Sequence, residues 1–492
     1  MNDGHHIRQL GNYERYSLAR DNSGNPQLIT YVATYPSTAD LPSADQLRTR
    51  ARELVEEYPL LKGRVGDGRT TSPKWGVLFE EEAEQGMNGL VYDKNISDML
   101  SPDLEGVISA ELGNIQPLRV VSRGFLWRAV RYVPQPNPGP AFVALTINHV
   151  ISDGKSGLAL FNALLTPSTA NDEKAPALTE VIPPSMESTI DCRPGYLYML
   201  NVIWKELLVP ELPTFLSDTL KQTPCWPGRT ASTGATRQMF KRITLDPQQV
   251  NRLKAVGRTH QVNTLHPILE MAAVVALWQT FTASEIAYDT PISVRDTARG
   301  HPPISGNYVA NLESRISCSP EGNEQFWNKT REFSAWLASD AGRKQAMSAM
   351  GMLVHIPDGV NDVGPDSPTP TGWETFLLDK VTRAPGSSLE VSNLGYTRLP
   401  PHAESVAFAQ TPSPFIPPLV INAVGHERGL ELVVCWREGA FSYAGKDMAD
   451  FPKTYQAVLV YLADMDANNR PGTAETLSFN DIREAVGALT NR

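Results

Sequence analysis

The stretch FVALTINHVISDGKSGLALFNALL, Phe142–Leu165, decides how this chain is read. Phe142, Ala144, Thr146 and Asn148 alternate against Val143, Leu145, Ile147 and His149, so the run predicts a buried strand that ends on a histidine. Ser152-Asp153-Gly154 supplies a turn and a helix start, and KSGLALFNALL continues as the helix. His149 shares a face with three aliphatic side chains. A neutral imidazole held there has a lowered pKa and can act as a base near pH 7. Packing is the alternative: a lone core histidine beside an ordinary strand, turn and helix. A metal site is not expected. His149 and Asp153 are four apart, but the segment changes from strand to loop between them and no third ligand motif exists. The near copy HIPDG at His355 has the wrong spacing and lies in a loop tract.

Working outward, 492 residues are too many for one simple core and imply two or more domains, or two large halves of one unit. The chain is 41% hydrophobic and 20% charged, as expected of a soluble globular protein. A net charge of −10 argues against a nucleic-acid partner and against a general pull to anionic membranes, although a local basic patch could still hold an anionic substrate. Cys192, Cys225, Cys318 and Cys435 are far apart with no C-x-x-C pair, which reads as four reduced thiols. The N-terminus shows no apolar h-region, so a cytoplasmic location is expected. No run reaches the roughly 18 apolar residues of a membrane span. The greasiest piece, Tyr196–Val209, carries Lys205 and Glu206 and suits a core or interfacial helix.

Helices and strands alternate along both halves, so the class is α/β or α+β. Ser43 and Gln46 form a capping-box pattern ahead of the stripe Leu47, Ala51, Leu54, Val55 and Tyr58, and Pro59 stops that helix. PLRVVSRGFLWRAVRYV and AFVALTINHV read as strands separated by a Pro/Gly turn. Prolines recur from Pro167 to Pro227, which marks a connection and divides the chain into residues 1–170, a crossover at 171–235, and 236–492. Asp246, Pro247 and Gln249 start a helix, and TLHPILEMAAVVALWQTF predicts a buried one.

Two further stretches bear on the histidine. TPISVRDTARGHPPISGNYVANLES holds a strand ending in Arg295 and then Gly306–Leu312; VSNLGYTRL holds Ser392–Gly395. With H-x-x-x-D-G at His149, Asp153 and Gly154, the three motifs in this order resemble the CoA-dependent acyltransferase superfamily with the chloramphenicol-acetyltransferase-like fold. LGNYERYSLAR, YPLLKGRV and the connector around VIPPSMESTIDCRPGYLY are similar to its fungal alcohol O-acetyltransferase branch. The plant D-F-G-W-G motif is absent, and Asn148 stands where condensation domains usually have a second histidine.

The resemblance implies an α/β (α+β sandwich) fold of two subdomains with a tunnel between them and His149 midway along it. It implies an acyl-CoA co-substrate, acetyl-CoA being expected, with no bound cofactor and no metal. The acceptor is then a hydroxyl of a small lipophilic molecule, and the enzyme a monomer. N-acylation or condensation of an amine, or a non-acylating descendant that binds a ligand or guides a cyclisation, are the alternatives. His149 is expected as general base, with direct attack on the thioester. Asp153 pairs with Arg295 as scaffold rather than orienting His149, and Gly154 allows a close turn. Tyr308, Ser392 and Asn393 are candidate polar contacts to substrate or oxyanion.

Overall fold

A computed structural model describes residues 8–135, 139–167, 182–204, 208–209, 212–213, 223–231, 237–318, 325–358, 367, 369–441, 447–465 and 476–490. Residues 171–181, 205–207, 210–211, 214–222 and 232–235 of the crossover, and residues 359–366 of the loop after His355, lie outside the described residues.

Alternation along the strand Ala141–Asn148 sorts its side chains between two layers. Val143, Leu145 and Ile147 join an apolar cluster with Tyr31, Leu54 and Phe161. Phe142 and Ala144 face the other way, against Val107, Ile108 and Leu112 of the helix Leu104–Gly113. This strand is the middle one of a five-stranded sheet. In spatial order the sheet runs Ser405–Gln410, Leu28–Tyr35, Ala141–Asn148, Trp127–Val133, Val91–Asn95. All neighbours are antiparallel except the last pair. One edge strand, Ser405–Gln410, comes from the C-terminal half of the chain. A cut at residue 236 therefore divides the sequence but not the sheets.

The second sheet has six strands in the order Val309–Ser317, Glu285–Ser293, Leu389–Tyr396, Leu419–His426, Gly429–Arg437, Gln238–Leu245. Leu389–Tyr396, which carries the S-N-L-G stretch, runs parallel to both neighbours. Against this sheet lies the helix His266–Phe281, apolar on nearly every side and almost wholly buried. The mixed helix-and-sheet class and two-subdomain architecture agree with the sequence reading.

Local chemistry explains the helix ends. Ser43 Oγ accepts from Gln46 N at 3.1 Å while Gln46 Oε1 accepts from Ser43 N at 2.8 Å, and the buried stripe Leu47, Ala51, Leu54, Val55 follows on Ala44–Glu57. Asp246 caps Pro247–Thr259 in the same way. The four cysteines are buried. No helix among the described residues is long and apolar enough to cross a membrane. The greasy segment forms a helix, Tyr196–Ile203, that is not core: Tyr196 and Leu197 are more than four-fifths exposed. Its Met199, Val202 and Ile203 instead help line the cavity described next.

Candidate active site

A cavity of about 1100 Å³ lies between the halves. His149, Asp153 and Gly154 reach it from the N-terminal half, and Ser293, Asn311, Ser392 and Asn393 from the C-terminal half. His149 follows directly on the central strand and is 6% exposed. Its backbone N donates to Gln27 O at 2.8 Å, which continues the pairing with the neighbouring chain for one residue past the strand. Asn148 is spent on structure. Its amide donates to Asp21 Oδ2 and Leu118 O, both at 2.9 Å.

The imidazole is held from the second half. Asn307 Nδ2 donates to the carbonyl oxygen of His149 at 2.7 Å and lies 3.0 Å from the ring Nδ1. A carbonyl can only accept, so the amide must present its NH₂ here. The ring also hydrogen-bonds the His149 backbone carbonyl. Nε2 has a free lone pair in the tautomer that carries its hydrogen on Nδ1. Burial, seconded by the positive charge of Arg20, lowers the His149 pKa from 6.5 to about 4, against a smaller opposing pull from Asp153. The ring is therefore neutral at physiological pH.

Asp153 has a different set of contacts. It caps the helix Gly154–Leu165 by accepting from Ser156 N at 2.8 Å. Its Oδ2 accepts from Arg295 Nη2 at 2.7 Å and from Tyr308 N at 2.9 Å. Burial works to raise its pKa, but Arg295 and the two backbone N–H groups more than offset this and hold it below the ordinary value. Arg295 also donates to Ser305 O and Gly306 O at 3.0 and 2.9 Å and to Pro302 O, while its Nε has no partner among the described residues. A bridge between Ser152 and Gly306 runs alongside, with Gly306 N donating to Ile151 O at 2.7 Å. The turn after His149 is thus stitched to the second half through backbone and charge together.

The two glycines have steric reasons. At Gly306 φ is +79°, and a Cβ would stand 2.6 Å from the Tyr308 ring. Gly154 is not among the left-handed glycines. What it permits is the approach of Leu394, whose Cδ2 would be 2.8 Å from an added Cβ, so close packing rather than turn geometry demands it.

The three polar candidates separate. Ser392, nearly buried, and Asn393 line the cavity. The Asn393 side-chain oxygen accepts from Gly395 N at 2.8 Å and so shapes the turn. Tyr308 is not among the cavity-lining residues. Its hydroxyl donates to Pro184 O at 2.6 Å, and its ring is sandwiched by His301 at 3.9 Å and by the Arg295 guanidinium at 4.7 Å. It braces the scaffold behind the cavity wall. The sequence reading missed Asn307 and the face Tyr13, Tyr16 and Arg20 of the helix Asn12–Asn22. Tyr13 stands edge-on to His149 at 6.1 Å and stacks on Tyr16 at 6.3 Å. The three residues fall at spacings of three and four, which was the available signal for a shared face.

A buried histidine on a cavity between two sheet-and-helix halves defines a class: CoA-dependent acyltransferases and condensation domains share this architecture. Among solved structures, trichothecene 15-O-acetyltransferase TRI3 from Fusarium sporotrichioides is similar at a TM-score of 0.59 and 12% identity, covering 93% of this chain and 94% of that one. The first condensation domain of the CDA synthetase is similar at 0.58 and 14%, covering 97% and 98%. An uncharacterised protein of Schizosaccharomyces pombe (strain 972 / ATCC 24843) is 20% identical over 438 residues, 85% of this chain and 89% of its own length. The alcohol acetyltransferase family pattern matches residues 126–438, and the chain belongs to that family. Acyl transfer is the class of activity that family and fold support.

Proposed function

We propose that the protein is an acyl-CoA-dependent O-acyltransferase, with acetyl as the acyl group and a hydroxyl of a small lipophilic molecule as acceptor. The observation that carries this reading is the neutral, buried His149 on the cavity wall, with its Nδ1 at 3.0 Å from Asn307 Nδ2. A hydroxyl is a poor nucleophile and needs a base within hydrogen-bond reach. His149 Nε2 takes the hydroxyl proton as the oxygen attacks the thioester carbonyl carbon. The new C–O bond forms and the carbonyl becomes a tetrahedral oxyanion, which needs a hydrogen-bond donor. Ser392 is the polar group on the cavity wall proposed for that contact. When the oxyanion collapses the C–S bond breaks, and the imidazolium returns its proton to the departing CoA sulfur. Asp153 and Arg295 act at one remove, by fixing the turn that follows His149.

The test is incubation with acyl-CoAs of increasing chain length and a matched set of alcohols and amines, reading free thiol and product mass. Thiol release dependent on an alcohol, with an ester product, is expected. An amide product with no ester would contradict O-acylation.

A further inference from the structure

Arg20 is a buried cation that no carboxylate touches among the described residues. It is 7% exposed and lines the same cavity as His149. Among the described residues its guanidinium donates to the Gln27 side-chain oxygen, to the Tyr16 hydroxyl at 3.2 Å and to Phe415 O at 3.4 Å, none of them a carboxylate, and its Nε has no partner. The contrast with other buried arginines is direct: Arg128 and Arg295 each meet a carboxylate, at 2.8 and 2.7 Å. A buried charge without a partner is costly, and an anionic ligand would offset that cost. Glu390 lies within electrostatic reach of Arg20, but no contact between its carboxylate and the guanidinium occurs among the described residues, and its side chain accepts from Gln410 at 3.1 Å. Lys380 adds a second cation over the Tyr16 ring at 5.6 Å. Burial alone would raise the Tyr16 hydroxyl; Arg20 and Lys380 outweigh it and bring it down to about 8, as a locally positive potential must.

We propose that Arg20, backed by Lys380 and the Tyr16 hydroxyl, binds a carboxylate carried by one of the two substrates. The inference rests on the acyl-transfer reading only in taking the ligands to be an acceptor and an acyl-CoA. The phosphates of CoA are the wrong anion for this place. Gln27 accepts from Arg20 with its side chain and from His149 N with its backbone, so the cation is one residue from the base, whereas the phosphates sit at the far end of the pantetheine arm. The oxyanion is also the wrong anion. The ring contacts run from Arg20 over Tyr16 to Tyr13 and from Tyr13 to His149, and no hydrogen bond joins the guanidinium to the imidazole among the described residues. A permanent carboxylate is the charge that suits a permanent cation. Its fork-shaped guanidinium matches the two oxygens.

Two arms distinguish the sources. In the acceptor arm, 4-(hydroxymethyl)benzoate is compared with its methyl ester. In the donor arm, malonyl-CoA is compared with acetyl-CoA. Binding is read by calorimetry on wild type, Arg20→Gln and His149→Ala, with melting temperature recorded for each. In one arm the wild type is expected to favour the carboxylate member by tenfold or more. That preference should vanish in Arg20→Gln and persist in His149→Ala, and Arg20→Gln should melt no lower than wild type because an uncompensated cation is gone. No carboxylate preference in either arm, a preference that survives Arg20→Gln, or a large fall in its melting temperature would overturn the proposal. Binding needs no turnover. A protein that binds the carboxylate through Arg20 yet releases thiol from no acyl-CoA would sink the acyl-transfer reading and leave this one standing.

Discussion

At the scale of the residue, the pKa of His149 is the quantity to measure. Lowered to about 4 by burial and Arg20, it keeps the base neutral where a free imidazole, at 6.5, would already be half protonated. kcat/KM is therefore expected to stay level as the pH falls through 6.5 and to drop only towards 4. An acid limb centred at 6.5 would show that the ring is solvated rather than buried. Stability has the same sign. Between 6.5 and 4 the unfolded chain takes a proton that the folded chain refuses, so this group destabilises the fold progressively as the pH falls through that window. His149 was legible in the sequence because the alternation of its strand and the Asp-Gly four residues on mark it. Asn307, its partner, was not. It comes from 158 positions away, and nothing in a G-N-Y triplet says which way an amide will point.

At the scale of the element, the helix start Asp153-Gly154 is a junction of cap, ion pair and close packing. Asp153→Ala removes the cap, leaves Tyr308 N without its acceptor and strands Arg295, whose side chain is only 11% exposed. A loss of about 3–5 kcal/mol in urea unfolding is expected, the range for breaking a buried pair. Asp153→Asn keeps an acceptor and should lose less. Equal stability of Asp153→Ala and wild type would remove the ion pair from the account. The pairing of Asp153 with Arg295 was foreseen from the resemblance, not from periodicity. The role of Gly154 was misjudged, since a turn was read where the structure shows Leu394 pressed against the helix start. Contacts between elements far apart in sequence do not leave a local pattern, whereas caps such as Ser43 with Gln46 do.

At the scale of the molecule, the two halves are interlocked by Ser405–Gln410, an edge strand contributed by the second half to the first sheet. Six residue pairs of that strand match Leu28–Tyr35 in register, and Val406, Ala407, Phe408 and Ala409 are almost wholly buried. A fragment ending at residue 235 would expose this edge and its apolar faces. It is expected to lack cooperative unfolding by circular dichroism, while the full chain melts in one transition. A fragment that folds alone would contradict the interlock. The alternation of helices and strands was enough for the class, and the two subdomains were foreseen from the resemblance. The swapped strand was not legible, because a short apolar run such as SVAFAQ fits either sheet equally well. The central claim, that His149 is the base for acyl transfer at the seam of these halves, is tested most directly by the rate of acyl-CoA-dependent thiol release in His149→Ala against wild type, with unchanged circular dichroism as the check on folding. A fall of about 10²- to 10⁴-fold is predicted; a folded variant that turns over at the wild-type rate would contradict the account.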